Sequence, residues 1–473
     1  MEEKLYDVAV IGGGPGGSSF ATYARKKGLS VILFEKEKFP RDHVGESLIP
    51  FTYFKMKELG VLDEIKEFAT FKPGVNFVDI DGTRESTWCF GKILKDESHL
   101  SFHTLRAPFD HALLKNSAKH GAEIHEEYTV RETILDNPDG NVSLLVENKL
   151  GERKKVNARF LVDASGQGSF LAKKLGTKTP YKDLDRTAFF SHWLNTNYDE
   201  ALNQGLIKII YLGGLKKGWI WVIPVGRNHL SIGVTLANAY VRETKAQLIA
   251  NGSSNWQKDL YVQELSYALA LKPILENANM EHETLVLGDY SYFTEKKYGT
   301  NWAMVGDAGA FLDPIFSSGI YVAMETADKV AQCVHTSLTV GVDAAQKQFK
   351  ETHEILTGGY DLIEKFVRLF YSPDLLNFAH VDPYTNVSFD KFLYAYNIFH
   401  YLLAGDFFLN SKKYAAFIDT IKNEKSYNRF LTYVKQHSAV PAKNQDCGYT
   451  FDEIYGHLPM MDQVFKVIIE HEK

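Results

Sequence analysis

The glycine stretch Gly12-Gly13-Gly14-Pro15-Gly16-Gly17 constrains the fold more than any other part of this sequence. It follows an apolar run at residues 6–11 and precedes a helical pattern over residues 18–27. A second apolar run, Val31-Ile32-Leu33-Phe34, then ends on Glu35. Strand, glycine loop, helix and strand in this order make a dinucleotide-binding unit, because each part has a physical task. Gly12 permits the tight turn, Gly14 lets the backbone approach a pyrophosphate, and Gly17 lets the helix pack closely on the strand. The helix N-terminus offers free N–H groups and partial positive charge to the phosphates. Glu35 stands roughly 20 residues on, where an acid accepts the ribose hydroxyls.

The 473 residues allow two or three domains. A net charge of -6 and the lack of a long basic block argue against a nucleic-acid footprint. Cys89, Cys333 and Cys447 are far apart and match no zinc spacing. A disulfide framework is therefore not expected, and a reducing, cytoplasmic setting fits. The chain enters its first strand almost at once, which leaves no room for a signal peptide. No apolar run approaches the ~20 residues of a membrane span.

Along the chain, Gly45-Glu46-Ser47-Leu48-Ile49-Pro50 leads into a helix that ends near Leu59. Residues 75–78 and 86–90 read as paired strands with a turn at Asp81-Gly82. Arg106 precedes a helix, and a later apolar strand closes on Asp163-Ala164-Ser165-Gly166. The middle third is strand-rich and aromatic and fits an antiparallel sheet. It contains Trp219-Ile220-Trp221-Val222-Ile223-Pro224, whose two tryptophans face the same side of a strand. A helical stretch is expected over residues 243–275. The chain then returns to the first domain through Val305-Gly306-Asp307 and the loop Asp313-Pro314-Ile315-Phe316-Ser317-Ser318-Gly319-Ile320, which starts a helix. From about residue 345 the pattern is helical and aromatic, as in residues 366–371 and 392–396, and reads either as core packing or as an apolar substrate wall.

The fingerprint, Arg106 before its helix, the strand end at Asp163 and the late Gly306-Asp307 together resemble the FAD-dependent monooxygenase-like superfamily. The resemblance covers residues 5–340. It implies an α/β protein with a p-hydroxybenzoate hydroxylase-like FAD-binding Rossmann domain, an antiparallel-sheet substrate domain and a helical C-terminal region. The implied boundaries are residues 1–75, 104–165 and 285–345 for the FAD domain and 76–103 with 166–284 for the substrate domain. A substrate-capping region then spans 346–473. Asp307 and Arg106 are implied to lie by the flavin's ribityl and phosphate groups, where a carboxylate suits hydroxyls and a guanidinium suits phosphate. Ser47, Gly319 and Ile320 join the implied cofactor contacts.

Three motifs narrow the likeness to flavin-dependent halogenases. Trp219 to Pro224 match W-x-W-x-I-P, and the tryptophans are implied to keep substrate off the flavin. Residues 45–50 resemble the G-E-S-L-x-P stretch of the branch acting on phenolic and carrier-bound substrates. Lys72-Pro73-Gly74 occupies the place of the active lysine, and Ser318-Gly319 that of the halide-binding pair. Phe316 stands where tryptophan halogenases carry a glutamate, which points to phenols, pyrroles or polyketides that supply their own electron push.

The implied reaction uses FADH2 from a separate flavin reductase, dioxygen, and chloride or bromide. Hypohalous acid forms and is relayed by Lys72 to an electron-rich carbon in natural-product biosynthesis. The substrate arrives free or tethered to a carrier protein, with no metal and no nucleic acid involved. A flavin hydroxylase or a geranylgeranyl-reductase-like oxidoreductase remains the alternative within enzymes, and a flavin-binding partner without turnover the alternative outside them.

Overall fold

The computed structural model describes residues 4–197, 205–373, 376–380, 390–423 and 447–458. The rest of the region 346–473, and the side chains of residues 392–396, lie outside the described residues.

Two large sheets organise the chain. The first is built around the opening strand Leu5–Ile11, which lies between Val31–Glu35 and Arg153–Asp163 in parallel register. Glu123–Glu126 extends it in parallel beyond Val31–Glu35. The strand Arg153–Asp163 serves two partners. Its first half runs antiparallel to Val142–Asn148, and its end runs parallel to Trp302–Met304. Tyr128–Ile134 closes the far edge. The central strands read as unbroken apolar runs because both faces are covered. The helix Pro15–Lys26 packs across one face with the helices Arg106–Lys119 and Gly319–Thr339. Phe20, Val10, Phe109, Met324 and Ala327 meet there in one core.

The second sheet has eight strands, seven of them in the order Asn279–Met280, Arg186–Leu194, His229–Ala237, Gly218–Gly226, Ile207–Leu212, Gly74–Val78 and Glu85–Cys89. The pairing is antiparallel except between Ile207–Leu212 and Gly74–Val78. The strand Gly218–Gly226 divides two cores by simple alternation. Trp219, Trp221 and Ile223 face a core shared with the long helix Val342–Phe370, through Phe366 and Phe370. Ile220 and Val222 face the opposite core, with Leu260, Tyr261 and Leu265.

Several expectations change. The helical stretch at 243–275 begins earlier and is three helices, Asn238–Ala250, Trp256–Tyr267 and Lys272–Leu275. The Asn255 side chain accepts from the Lys258 N–H and restarts the second helix, and Pro273 sits in the first turn of the third. The eighth strand, Leu285–Gly288, grouped by sequence with the nucleotide-binding segments, pairs instead with Arg186–Leu194 in the larger sheet. The expectation of no disulfide is overturned, since Cys89 and Cys447 are bonded. The two lie 358 residues apart, so no local spacing could signal the pair. The bond ties the segment 447–458 beside the strand that leads from Lys72. His457 Nε2 meets the Ala69 carbonyl at 2.8 Å, and its ring lies 4.5 Å from that of Phe71. Of the three cysteines only Cys333 is free, and it is buried.

Candidate active site

The glycine loop sits at the C-terminal ends of the parallel strands. Gly12 adopts φ +98, and a Cβ there would strike the Ala164 carbonyl oxygen. At Gly17 a Cβ would strike the Gly12 carbonyl, so helix and turn touch only because both are glycines. Glu35 is buried, and its carboxylate accepts from the Gly13 N–H at 2.7 Å and the Glu37 N–H at 2.9 Å. It therefore fixes the loop as well as standing ready for a ribose, with one lone pair free on each oxygen.

Asp307 follows the strand Trp302–Met304 and reaches the same end of the sheet. Among the described residues nothing hydrogen-bonds its carboxylate. Enclosure pushes that carboxyl up to about 7, although the Arg106 charge opposes the rise. A partly buried carboxylate without a partner among the described residues can accept from hydroxyl donors, and sugar hydroxyls supply them.

Arg106, expected beside the cofactor, already spends three of its five N–H groups inside the protein. Its Nε and Nη2 are held by Asp110, each at 2.8 Å, and its Nη1 donates to the Val44 carbonyl at 2.7 Å. Arg41 is the arginine that flanks the loop. Its Nη2 lies 3.6 Å from where a Gly14 Cβ would be, and it bridges Glu37 and Asp110. The sequence shows Arg41 within Phe39-Pro40-Arg41 but carries no signal of its place.

Ser318 caps the helix Gly319–Thr339, and its side chain makes no capping bond. The first turn, which includes Gly319 and Ile320, holds no acidic residue. Its free N–H groups and the aligned helix dipole favour an anion. Phe316, three residues before Gly319, is stacked on Phe366 with centroids 3.8 Å apart. The two tryptophan rings lie 5.5 Å apart on their shared strand face. Trp219 Nε1 donates to Tyr371 Oη at 3.0 Å, and Tyr371 Oη donates to Asp313 at 2.8 Å. Burial pushes Asp313 up to about 6, against the Tyr371 hydrogen bond. This chain of donors was not legible, because Tyr371 lies 152 residues from Trp219.

Lys72 ends the short strand Thr70–Lys72, which pairs antiparallel with Ser101–His103. The segment through Ser47 bridges His103 on the other side. Lys72 is 1 % exposed, and its Nζ has two acceptors, Ser47 Oγ at 2.9 Å and the Leu48 carbonyl at 2.7 Å. The Phe90 ring lies 5.7 Å away. Burial alone pushes the amine down to about 7. Ser47, read from sequence as a cofactor contact, thus also holds the lysine. A groove of about 820 Å³ elsewhere, lined by Leu135, Tyr298, Asn301 and His353, contains none of these residues.

The family model described as tryptophan halogenase matches residues 7–105 and 95–374. The chain belongs to the flavin-dependent halogenases. It is 31% identical over 350 residues to the flavin-dependent halogenase armH1 of Armillaria mellea, covering 72% of this chain and 67% of that one. It is 30% identical over 408 residues to a 1H-pyrrole-2-carbonyl-[peptidyl-carrier protein] chlorinase of Pseudomonas fluorescens, covering 81% of this chain and 87% of that one. The solved flavin-dependent brominase Bmp2 superposes with a TM-score of 0.73 at 25% identity, covering 92% of this chain and all of that one. The halogenase is thus an FAD-using enzyme with a Rossmann-like cofactor domain. The glycine loop, Glu35 and Asp307 fit that group: the loop offers N–H donors to a diphosphate, and the carboxylates offer acceptors to its sugar hydroxyls.

Proposed function

We propose that this halogenase installs chlorine or bromine on an electron-rich phenolic, pyrrole or polyketide-type carbon in natural-product biosynthesis, with Lys72 as the residue that delivers the halogen. When bound, reduced FAD supplies the oxidising power, drawn from dioxygen, that turns halide into hypohalous acid. Gly12, Gly14, Gly17, Glu35 and Asp307 hold the cofactor, and Ser318 with Gly319 binds the halide at the helix N-terminus. Lys72 then receives the hypohalous acid and presents the halogen to the substrate. The tryptophan pair and Phe316 line the way as apolar, packed walls that exclude water. The reduced cofactor comes from a separate flavin reductase.

The observation that carries this reading is Lys72 itself: a fully buried amine with two acceptors and, among the described residues, no acid against it. A structural lysine in such a place would be paired. A substrate tethered to a carrier protein is favoured by the relatives named as pyrrole-carrier chlorinase and brominase. Phe316 in contact with Phe366 leaves no carboxylate there to assist an indole, which supports substrates that supply their own electrons.

The test supplies chemically reduced FAD, dioxygen and bromide or chloride, with phenols and carrier-bound pyrroles as substrates. Lys72→Ala should oxidise reduced FAD at the wild-type rate and yield no halogenated product. Normal halogenation by that variant would remove Lys72 from the reaction. Products that gain oxygen but never halogen would make the enzyme a hydroxylase.

A further inference from the structure

His192, His229 and Glu281 converge at one end of the larger sheet. His229 Nε2 is 3.1 Å from Glu281 Oε2, and His192 Nδ1 is 3.6 Å from the same oxygen. The three atoms all lie within 4.8 Å of one another. Zinc bonds of about 2.0–2.2 Å to imidazole nitrogen and carboxylate oxygen set ligand atoms roughly 3.4 Å apart at a tetrahedral centre. The two separations to Glu281 are close to that spacing before any ion draws them in.

The backbone makes the convergence rigid. His192 faces Ser231 across the antiparallel pair, and Leu194 faces His229, so the two histidines are diagonal neighbours on one sheet face. Glu281 follows the strand Asn279–Met280, and its N–H donates to the His192 carbonyl at 2.9 Å. All three ligands therefore sit on or beside paired strands rather than on a free loop.

The surroundings select the ligating atoms. Glu46 is buried and hydrogen-bonds His192 Nε2, which leaves Nδ1 as the ring nitrogen turned to Glu281, where an ion would replace the Nδ1 proton now shared with that carboxylate. A carboxylate behind a histidine is the arrangement that orients imidazole for a metal. His229 is 1 % exposed, and its Nδ1 has no hydrogen-bond partner among the described residues, so Nε2 is its one polar outlet. His282 packs on His192, but its Nε2 accepts the His192 N–H at 3.3 Å and is spent. Glu281 is a quarter exposed, which leaves the fourth position open to water. Two imidazoles with one carboxylate favour a borderline transition metal over magnesium or calcium.

We propose that His192, His229 and Glu281 bind one divalent transition-metal ion of the zinc type, with Glu46 as the residue that orients His192. The ion ties three strands to the segment 45–50, because Glu46 immediately precedes the Ser47 that holds Lys72. The proposal stands on the cluster alone and does not depend on the halogenation reading.

The full-length protein, stripped with chelator and dialysed, is titrated with Zn2+ alone, and circular dichroism checks each variant. One equivalent should bind. Glu46→Gln should weaken it about 10- to 100-fold, the usual cost of losing an orienting partner. Glu281→Gln, at a part-exposed position, should weaken it further and abolish the visible absorption of a Co2+-loaded sample. A zinc-soaked crystal gives an independent reading by anomalous scattering, expected between these three side chains. Binding that neither variant alters, an anomalous peak elsewhere, or no saturable binding would overturn the proposal and leave the cluster as a plain ion-pair network.

Discussion

The geometry around Lys72 makes a signed prediction about pH. A neutral amine has two N–H groups, and Nζ has two acceptors in place, Ser47 Oγ and the Leu48 carbonyl. The lone pair is then free. An ammonium would carry a third N–H, with the Phe90 ring as its remaining neighbour among the contacts of the described residues. Burial alone lowers the amine from 10.5 to about 7, and at about 1.4 kcal/mol per pH unit this amounts to about 5 kcal/mol against the charged form. Since the unfolded lysine keeps its proton to about pH 10.5, the unfolded chain binds more protons between these values. Stability from this group is therefore lowest below pH 7 and rises with pH through that window.

The catalytic consequence follows from the lone pair. Only the neutral amine can attack the halogen of hypohalous acid, forming the N–halogen bond as water leaves. With the amine at about 7, roughly one tenth is neutral at pH 6 and nine tenths at pH 8. The assay is the ratio of halogenated product to reduced FAD oxidised, which divides out the pH dependence of flavin oxidation. That ratio should climb from about a tenth to about nine tenths of its plateau across this window, with its midpoint near pH 7. Lys72→Arg, which stays charged, should give a ratio near zero at every pH. A ratio that is flat or that falls between pH 6 and 8 would refute the neutral-amine argument and favour a lysine that acts through its ammonium hydrogen bonds.

Three further outcomes are expected. Asp307→Asn should weaken FAD binding about 10- to 100-fold, the worth of about 1.5–3 kcal/mol for hydrogen bonds to a charged group, and flavin fluorescence quenching measures it; unchanged affinity would take Asp307 out of the cofactor site. Tyr371→Phe leaves Trp219 Nε1 and Asp313 each short of a buried partner, so urea unfolding should show a loss of about 2–4 kcal/mol, and a change below about 0.5 kcal/mol would mean water already serves both. Cys447→Ser should cost about 2–4 kcal/mol and raise hydrogen exchange at residues 69–73, and reductant should reproduce both effects on the wild type but leave the variant unmoved.

The elements legible in the sequence were those whose signal is local. The opening strand, glycine loop and acid carry their function within 36 residues, and the structure sets them side by side as read. The tryptophan pair shares a face because a strand has period two, which needs no knowledge of its neighbours. What could not be read depends on chain crossings. Arg106 looks wholly unpaired in the sequence until Asp110, one turn later on the same helix, is seen to take two of its N–H groups. Even that i, i+4 pair was readable in principle, whereas the Asp313–Tyr371–Trp219 chain and the Cys89–Cys447 bond join residues from different elements. His192 and His229 meet only through the register of two strands whose facing ends, Leu194 and His229, are 35 residues apart in the sequence.

The stretch Gly45-Glu46-Ser47-Leu48-Ile49-Pro50 shows how a motif can carry more than one role. The Glu46 carbonyl accepts the Thr104 N–H, and the Leu48 N–H donates to the Phe102 carbonyl, so the backbone between them is extended beside Ser101–His103. In an extended backbone alternate side chains point to opposite sides. Glu46 therefore reaches His192 in the larger sheet while Ser47 reaches Lys72. Gly45 lies against Arg106, with φ +104, and Pro50 starts the helix Pro50–Leu59 as its first residue. Each position thus answers to a different neighbour: the arginine that starts the helix Arg106–Lys119, the tryptophan sheet, the lysine strand and the helix Pro50–Leu59. A change at Glu46 should consequently be felt at Lys72 through one residue of shared backbone, although no side-chain contact joins them. That is why a serine read from sequence as a cofactor contact is also the acceptor for the lysine, and why the glutamate before it has a partner on the other sheet.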